Sequence, residues 1–231
     1  MEKLPVVSVS VGGSVTVPKD GSTTYLKNLS AMLREVSKNF RLIIVVGGGW
    51  IARWYISIAR EMGQDECTLD EIGIYTTRIN AMMLIAGLKD YACPFVPVDI
   101  NSAVALLNDY PVVIMGGTHP GHTTDGVAVM AGEKSKAIRI VISTNVDGVY
   151  TKDPNRYSDA KKLEKITAEE LLKITADDPT GAGSSMVIDA LGCRIIHRAK
   201  IPTIVCDGRN LTALKAAIEG KDSGGTIILP A

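Results

Sequence analysis

Three clusters of glycine and small polar residues stand at comparable places in the 231-residue sequence, each at the end of a short β-branched run. Val11-Gly12-Gly13-Ser14 closes the run from Val6, and Gly47-Gly48-Gly49 follows Leu42 to Val46. The third, Gly116-Gly117-Thr118-His119-Pro120-Gly121-His122-Thr123-Thr124-Asp125, follows Val112 to Met115. Glycine lacks a Cβ, so a phosphate can lie directly against its backbone. Where such a loop feeds a helix, the unpaired N–H groups of the first turn and the helix dipole attract the same anion. One Gly-Gly pair reads equally well as a tight turn. Three at corresponding strand ends read as an anion-binding crevice. Neither G-x-G-x-x-G after the first strand nor G-x-x-x-x-G-K-[ST] occurs, so the dinucleotide fingerprint and the P-loop are both missing. A fourth polar turn, Thr144-Asn145-Val146-Asp147-Gly148-Val149-Tyr150-Thr151-Lys152-Asp153-Pro154, carries amide, carboxylate and aromatic groups suited to holding a nucleoside. A plain Asp-Gly turn with Tyr150 packed locally is the alternative.

Other chemically capable side chains have more ordinary readings. His119 and His122 flank Pro120-Gly121 without a third ligand at zinc spacing, so they belong to a ligand-facing turn. Cys67, Cys93, Cys193 and Cys206 form no C-x-x-C pair and read as small buried thiols of a reducing compartment. Trp50 and Trp54 read as packing residues of the helix behind the second glycine cluster. Arg78 and Asn80, on an otherwise apolar helix, imply a buried or interface hydrogen bond. Asp125 falls in a first helical turn, where a partner of the dipole competes evenly with a role around a metal.

Bringing the glycine clusters together requires strands that end side by side. The runs Val6 to Val11, Leu42 to Val46, Pro94 to Val98, Val112 to Met115, Ile138 to Ser143, Thr203 to Cys206 and Thr226 to Leu229 read as strands. Helical periodicity occupies Thr23 to Lys38, Trp50 to Met62, Leu69 to Lys89, Thr124 to Lys136, Ala168 to Ile174, Ser184 to Ala199 and Leu211 to Glu219. Thr167-Ala168-Glu169-Glu170 is a capping box. The alternation predicts an α/β fold, a single three-layer αβα domain over 1–231 with a mostly parallel central sheet. With 46% hydrophobic residues and only 5% aromatic ones, aliphatic side chains must fill its core. Lys and Arg number 25 and Asp and Glu 25, a balance that argues against nucleic acid as partner and for small molecules. No apolar run approaches the roughly 18 residues of a membrane span, and no signal segment precedes the first strand. A soluble, cytoplasmic protein is expected.

The Gly12-Gly13-Ser14 turn, the Gly47-Gly48-Gly49 start of a helix carrying Arg53, the Thr-His-Pro-Gly-His-Thr-Thr-Asp run and Thr144-Asn145-Val146-Asp147-Gly148-Val149-Tyr150 with Asp153-Pro154 resemble the amino-acid-kinase superfamily. Within it they are similar to uridylate kinases of the archaeal type, over nearly the whole chain. The resemblance implies Mg²⁺-assisted, in-line transfer of a phosphoryl group from ATP to UMP on a homohexamer. It assigns Gly12, Gly13, Ser14, Gly48, Arg53, Thr144, Asn145, Tyr150 and Asp153 to ATP. Gly47, Asp70, Thr118, His119, Pro120, Gly121, His122, Thr123 and Thr124 fall to UMP, with Asp70 on the ribose hydroxyls. Read without the resemblance, Asp70 is equally a dipole partner at a helix start. Arg53, Asp125 and Asp189 are the candidates for the catalytic work, and no metal ligand is assigned. Many superfamily members place Lys where this chain has Ser10, so Arg53 or the metal, with Lys152 a distant third, must supply the missing cation. Members acting on carboxylates carry Lys where Asp189 stands, which points away from such acceptors. A kinase for another small phosphorylated acceptor, such as isopentenyl phosphate, and a nucleotide-binding protein without catalysis are the rival readings.

Overall fold

The strands explain the layering. Along β1 (Val6–Val11) and β2 (Arg41–Val46), Val7, Val9, Leu42 and Ile44 enter one core while Ile43 and Val45 enter another, as the two-residue period of a strand requires. Such strands are buried on both faces and therefore read as continuous aliphatic runs rather than as alternating ones. The computed structural model describes residues 4–152, 154, 157–176 and 188–230. Its seven-stranded sheet has the order β3 (Val112–Met115), β2, β1, β4 (Arg139–Thr144), β8 (Thr203–Asp207), β9 (Thr226–Leu229) and β7 (Lys165–Thr167). All neighbours are parallel except β8 and β9. A short hairpin, β5 (Val149–Tyr150) with β6 (Lys162–Leu163), stands apart.

One face is covered by α2 (Thr24–Val36), α4 (Glu66–Leu88) and α9 (Leu211–Glu219), which contribute Leu29, Leu33, Leu84 and Leu214. The other carries α5 (Ile100–Leu106), α6 (Thr124–Ser135), α7 (Ala168–Ala176) and α8 (Ala190–Ala199), with Ala103, Val127, Leu171 and Ile196. Two further helices, α1 (Gly13–Thr16) and α3 (Gly49–Glu61), begin inside glycine clusters. The chain runs from β1 outward through β2 to β3 and then returns to β1's other side as β4. That reversal opens a crevice beyond the carboxyl ends of β1 and β4.

Three expectations are corrected. Pro94 to Val98 is not a strand: Pro94 and Pro97 cannot donate to a ladder, and only an isolated bridge between Ala92 and Val112 touches the sheet there. The segment leads instead into α5, whose cap is Asp99, with Ser102 N donating to Asp99 Oδ1 at 2.9 Å. The late helix starts at Ala190 rather than Ser184, because the Asp189 side chain caps it; positions 184–187 lie outside the described residues. In α4 the cap is Asp65, so the helix begins before Leu69. The capping box stands, with Glu170 N donating to Thr167 Oγ1 and Thr167 N donating back to Glu170 Oε2. Of the cysteines, Cys93, Cys193 and Cys206 are buried as expected, while Cys67 is exposed.

Candidate active site

The ends of β1 and β2 touch backbone to backbone. A Cβ on Gly13 would run into the Gly47 carbonyl and lie 2.6 Å from Gly49 N, so only glycine permits this approach. Gly49 has φ +66, in the left-handed region that favours glycine. A Cβ on Gly47 would stand 3.0 Å from Gly13 N and 3.5 Å from Thr124 Oγ1, which brings the start of α6 to the same point. Gly12, Gly13, Ser14, Gly47, Gly48 and Thr124 therefore share one place, on the carboxyl side of the sheet. Arg53, one turn into α3, donates from Nη2 to Ser14 Oγ at 3.0 Å and so bridges the first two clusters. Trp50 Nε1 donates to Val17 O at 2.9 Å, while Trp54 is half exposed beside the Tyr55 ring, contrary to the expected packing role.

Helix α4 anchors two of these loops, a role that sequence reasoning did not assign. Asn80, 1% exposed, donates from Nδ2 to Gly47 O at 2.9 Å and to Gly48 O at 3.1 Å. Thr77 Oγ1 accepts from Gly117 N at 2.7 Å and donates to Ile74 O at 2.6 Å. Arg78 adds Nε to Gly117 O at 3.3 Å. Polar residues on an apolar helix were the signal, and the structure specifies their partners.

The acidic candidates divide. Ser10 Oγ donates to Asp125 Oδ1 at 2.5 Å, and the enclosed Asp125 carboxyl has its pKa raised to about 6. Desolvation is the main cause, the Asp189 charge adds to it, and the Ser10 bond opposes it. A lysine at position 10 would have set a cation against Asp125; serine supplies a hydroxyl alone. Asp189 accepts from Gly192 N at 2.6 Å through Oδ1 and from Thr123 Oγ1 through Oδ2, while Thr123 Oγ1 accepts from Gly126 N. Asp189 thus ties the start of α8 to the start of α6. Asp70 lies in the second turn of α4, past the reach of the first-turn dipole, and its Oδ2 accepts from Gly121 N at 2.7 Å. It fixes the Thr118 to His122 loop. In that loop the His119 and His122 rings meet edge-on, and the buried Nδ1 of His122 has no hydrogen-bond partner among the described residues.

On the far side of β1, Thr144 ends β4 and donates to Asn145 Oδ1 at 3.2 Å, and its carbonyl accepts from Gly208 N at 2.7 Å. Tyr150 donates its hydroxyl to Asp147 Oδ1 at 2.7 Å, and Lys162 Nζ holds the other oxygen at 3.0 Å. Asp147 therefore fastens the hairpin, and hydrogen bonds to Tyr150 and Lys162 keep its pKa low against the pull of desolvation. Asp153 lies outside the described residues. A cavity of about 800 Å³, lined by Ser14, Tyr25, Asn28, Asp207 and Arg209 among others, opens beside the first glycine cluster. Gly208, between Asp207 and Arg209, is a further glycine at a strand end, a signal the sequence reading did not use.

The sequence matches the Amino acid kinase family over residues 6–207. The chain belongs to that family. It is 48% identical over 223 residues to the uridylate kinase of Methanococcus vannielii, covering 96% of this chain and 98% of the relative. The uridylate kinase of Thermococcus kodakarensis is 43% identical over 220 residues, with 95% and 97% covered. The crystal structure of uridylate kinase from Archaeoglobus fulgidus superposes with TM-score 0.87 at 39% identity, covering 97% of this chain and 100% of the other. As in the fold expected of an amino acid kinase, the sheet is seven-stranded and mostly parallel. Among the described residues of this amino acid kinase, no three His, Cys, Asp or Glu side chains converge as a metal site, and no helix is long and apolar enough to cross a membrane.

Proposed function

We propose that this amino acid kinase is a uridylate kinase, transferring the γ-phosphoryl group of ATP to UMP to give UDP. The observation that carries the reading is the backbone contact of Gly13 with Gly47 and Gly49 beside Thr124, which sets the donor and acceptor loops against one another. ATP lies along Gly12, Gly13, Ser14 and the Thr144 to Asp153 turn, with Gly48 and Arg53 at its phosphate end. UMP lies along Gly47, Asp70 and the Thr118 to Thr124 loop. Mg²⁺ would come with ATP and would supply positive charge to the phosphates during transfer.

A monophosphate has a second pKa of about 6, so its attacking oxygen is already an anion near neutral pH and needs no general base. The protein's work is to hold two polyanions in line and to meet the charge that spreads over the transferring group. Backbone N–H groups from the glycine loops and the Arg53 guanidinium do this. Ser10 keeps its hydroxyl on Asp125, which leaves Arg53 as the cation of the crevice. We extend the reading to a single domain, and to a homohexamer whose self-association is supported by the apolar outer face of α4, where Tyr75, Ile79, Met82 and Met83 are exposed.

A coupled ADP-release assay with UMP, CMP, AMP and acetylglutamate tests the assignment. Turnover with UMP well above the others is expected. Turnover confined to a non-nucleotide acceptor would overturn it.

A further inference from the structure

Asn80 sits outside the glycine loops and cannot itself touch a nucleotide across them, yet it binds two consecutive carbonyls of the Gly47-Gly48-Gly49 turn. In a trans peptide the C=O and the following N–H point in opposite directions. Fixing the carbonyls of Gly47 and Gly48 toward α4 therefore turns the N–H groups of Gly48 and Gly49 away from it. Gly49 N lies beside Gly13, at the junction between the donor and acceptor loops. Glycines at 47, 48 and 49 have no side chains to hold this orientation, and Gly49 already occupies a left-handed conformation. Gly48 O also accepts a long 3.4 Å bond from Ala52 N at the start of α3, so without Asn80 the Gly47 carbonyl's plane can rotate at little steric cost and the Gly48 one is held by that long bond. Asn80 supplies the hold from the packed inner face of α4, which includes Ala81 and Leu84.

We infer that Asn80 is a positioning residue for phosphoryl transfer: by gripping the Gly47 and Gly48 carbonyls it presents the Gly48 and Gly49 N–H groups to the transferring group. The amide is the side chain for this work. Its NH₂ group offers two hydrogens, one for each carbonyl, where a hydroxyl offers one and a carboxylate none. The inference rests on the uridylate kinase reading for its activity assay, and a structural arm is independent of that reading.

Asn80→Ala removes both donors, and Asn80→Asp keeps the shape while facing an acceptor toward two carbonyls. Both variants should lose kcat by about 100-fold, the scale for removing a preorganised donor at developing charge, while the KM values for UMP and ATP move less than about 3-fold. With Asn80→Asp, burial beside two carbonyls raises the new carboxyl's pKa, and its protonated form can donate one bond. Its rate relative to the parent should therefore climb between pH 8 and pH 6. A folded variant with parental kcat, or a loss expressed wholly in KM, overturns the inference. The second arm is a crystal structure of the parent enzyme with an ATP analogue and Mg²⁺. The Gly48 and Gly49 N–H groups should point at phosphate oxygens while Asn80 keeps both carbonyls, and N–H groups aimed elsewhere refute the role even if neither variant folds. If the parent produces no ADP with UMP, the functional reading fails and this structural arm still decides the role of Asn80.

Discussion

Asp125 shows how the side chains around a carboxyl set its chemistry. Its carboxyl is enclosed, faces the Asp189 charge and has only the Ser10 hydroxyl in compensation, so its pKa rises from 3.8 to about 6. In the unfolded chain it titrates near 3.8, so between the two values the native state holds more protons than the unfolded one. The stabilising contribution is complete below pH 3.8 and is lost as pH rises through about 6. Above that, the native state carries a buried charge at a cost of up to about 3 kcal/mol. Asp125→Asn keeps an acceptor for Ser10 and cannot ionise, so its melting temperature relative to the parent should increase between pH 5 and pH 7.5; calorimetry showing a pH-independent difference refutes this. Asp70 yields a prediction about substrate. With one oxygen on Gly121 N, it shapes the Thr118 to Thr124 loop, and the proposed function puts the acceptor's ribose at the other oxygen. Asp70→Ala should raise KM for UMP about 10-fold or more and leave KM for ATP within about 2-fold, since a site built to bond a hydroxyl discriminates by that scale or above. Steady-state kinetics with each substrate varied separately decides it, equal shifts in both being the adverse result. Asp70 also marks a limit of sequence reading: where a helix begins decides whether a carboxylate meets its dipole, and Asp65 moves the start of α4 far enough to remove Asp70 from the first turn.

Elements became legible where their signals were continuous and failed where two signals competed. The glycine clusters and the long aliphatic strands announced themselves, because burial on both faces demands unbroken aliphatic runs. Pro94 to Val98 carried β-forming residues, yet its prolines and the Asp99 cap made it a lead into α5. The strut function of α4 was invisible because it is a relation between elements: Thr77, Arg78 and Asn80 look like stray polar residues until Gly47, Gly48 and Gly117 are seen against them. The closeness of the first two loops gives the sharpest test at this scale. Gly13→Ala adds a methyl group where the Gly47 carbonyl already sits, with backbone rather than a flexible side chain as the obstacle. The loops must separate, and a displacement near 1 Å costs about 100-fold in rate. Activity should fall by that order while far-ultraviolet dichroism is kept; a variant with undiminished turnover would show that the contact is not needed.

At the scale of the molecule, α4 has two apolar faces and the single chain covers only one. Inward, Ala81, Leu84 and Leu88 pack against the sheet. Outward, Tyr75, Ile79, Met82 and Met83 recur at positions i, i+4, i+7 and i+8, and are 64%, 57%, 61% and 46% exposed. A helix apolar all round is ordinarily a buried one, and an exposed apolar stripe of this kind marks a contact surface. The formal charge of +0 puts no repulsion in the way of a second copy. We take the stripe as the self-association face of the proposed homohexamer. This assigns a double duty to one helix, since the same α4 that would meet its counterpart holds Gly47, Gly48 and Gly117 in place from within. Ile79→Glu combined with Met82→Glu places charges in the middle of the stripe, on side chains that point away from the glycine loops. Light scattering after gel filtration should show a smaller assembly than the parent, with helical content retained. Turnover per subunit should fall as well, because a strut bare on one side holds the loops less firmly. A parent that is already monomeric removes the interface, whereas a dissociated variant with full activity leaves the interface standing and severs its link to catalysis.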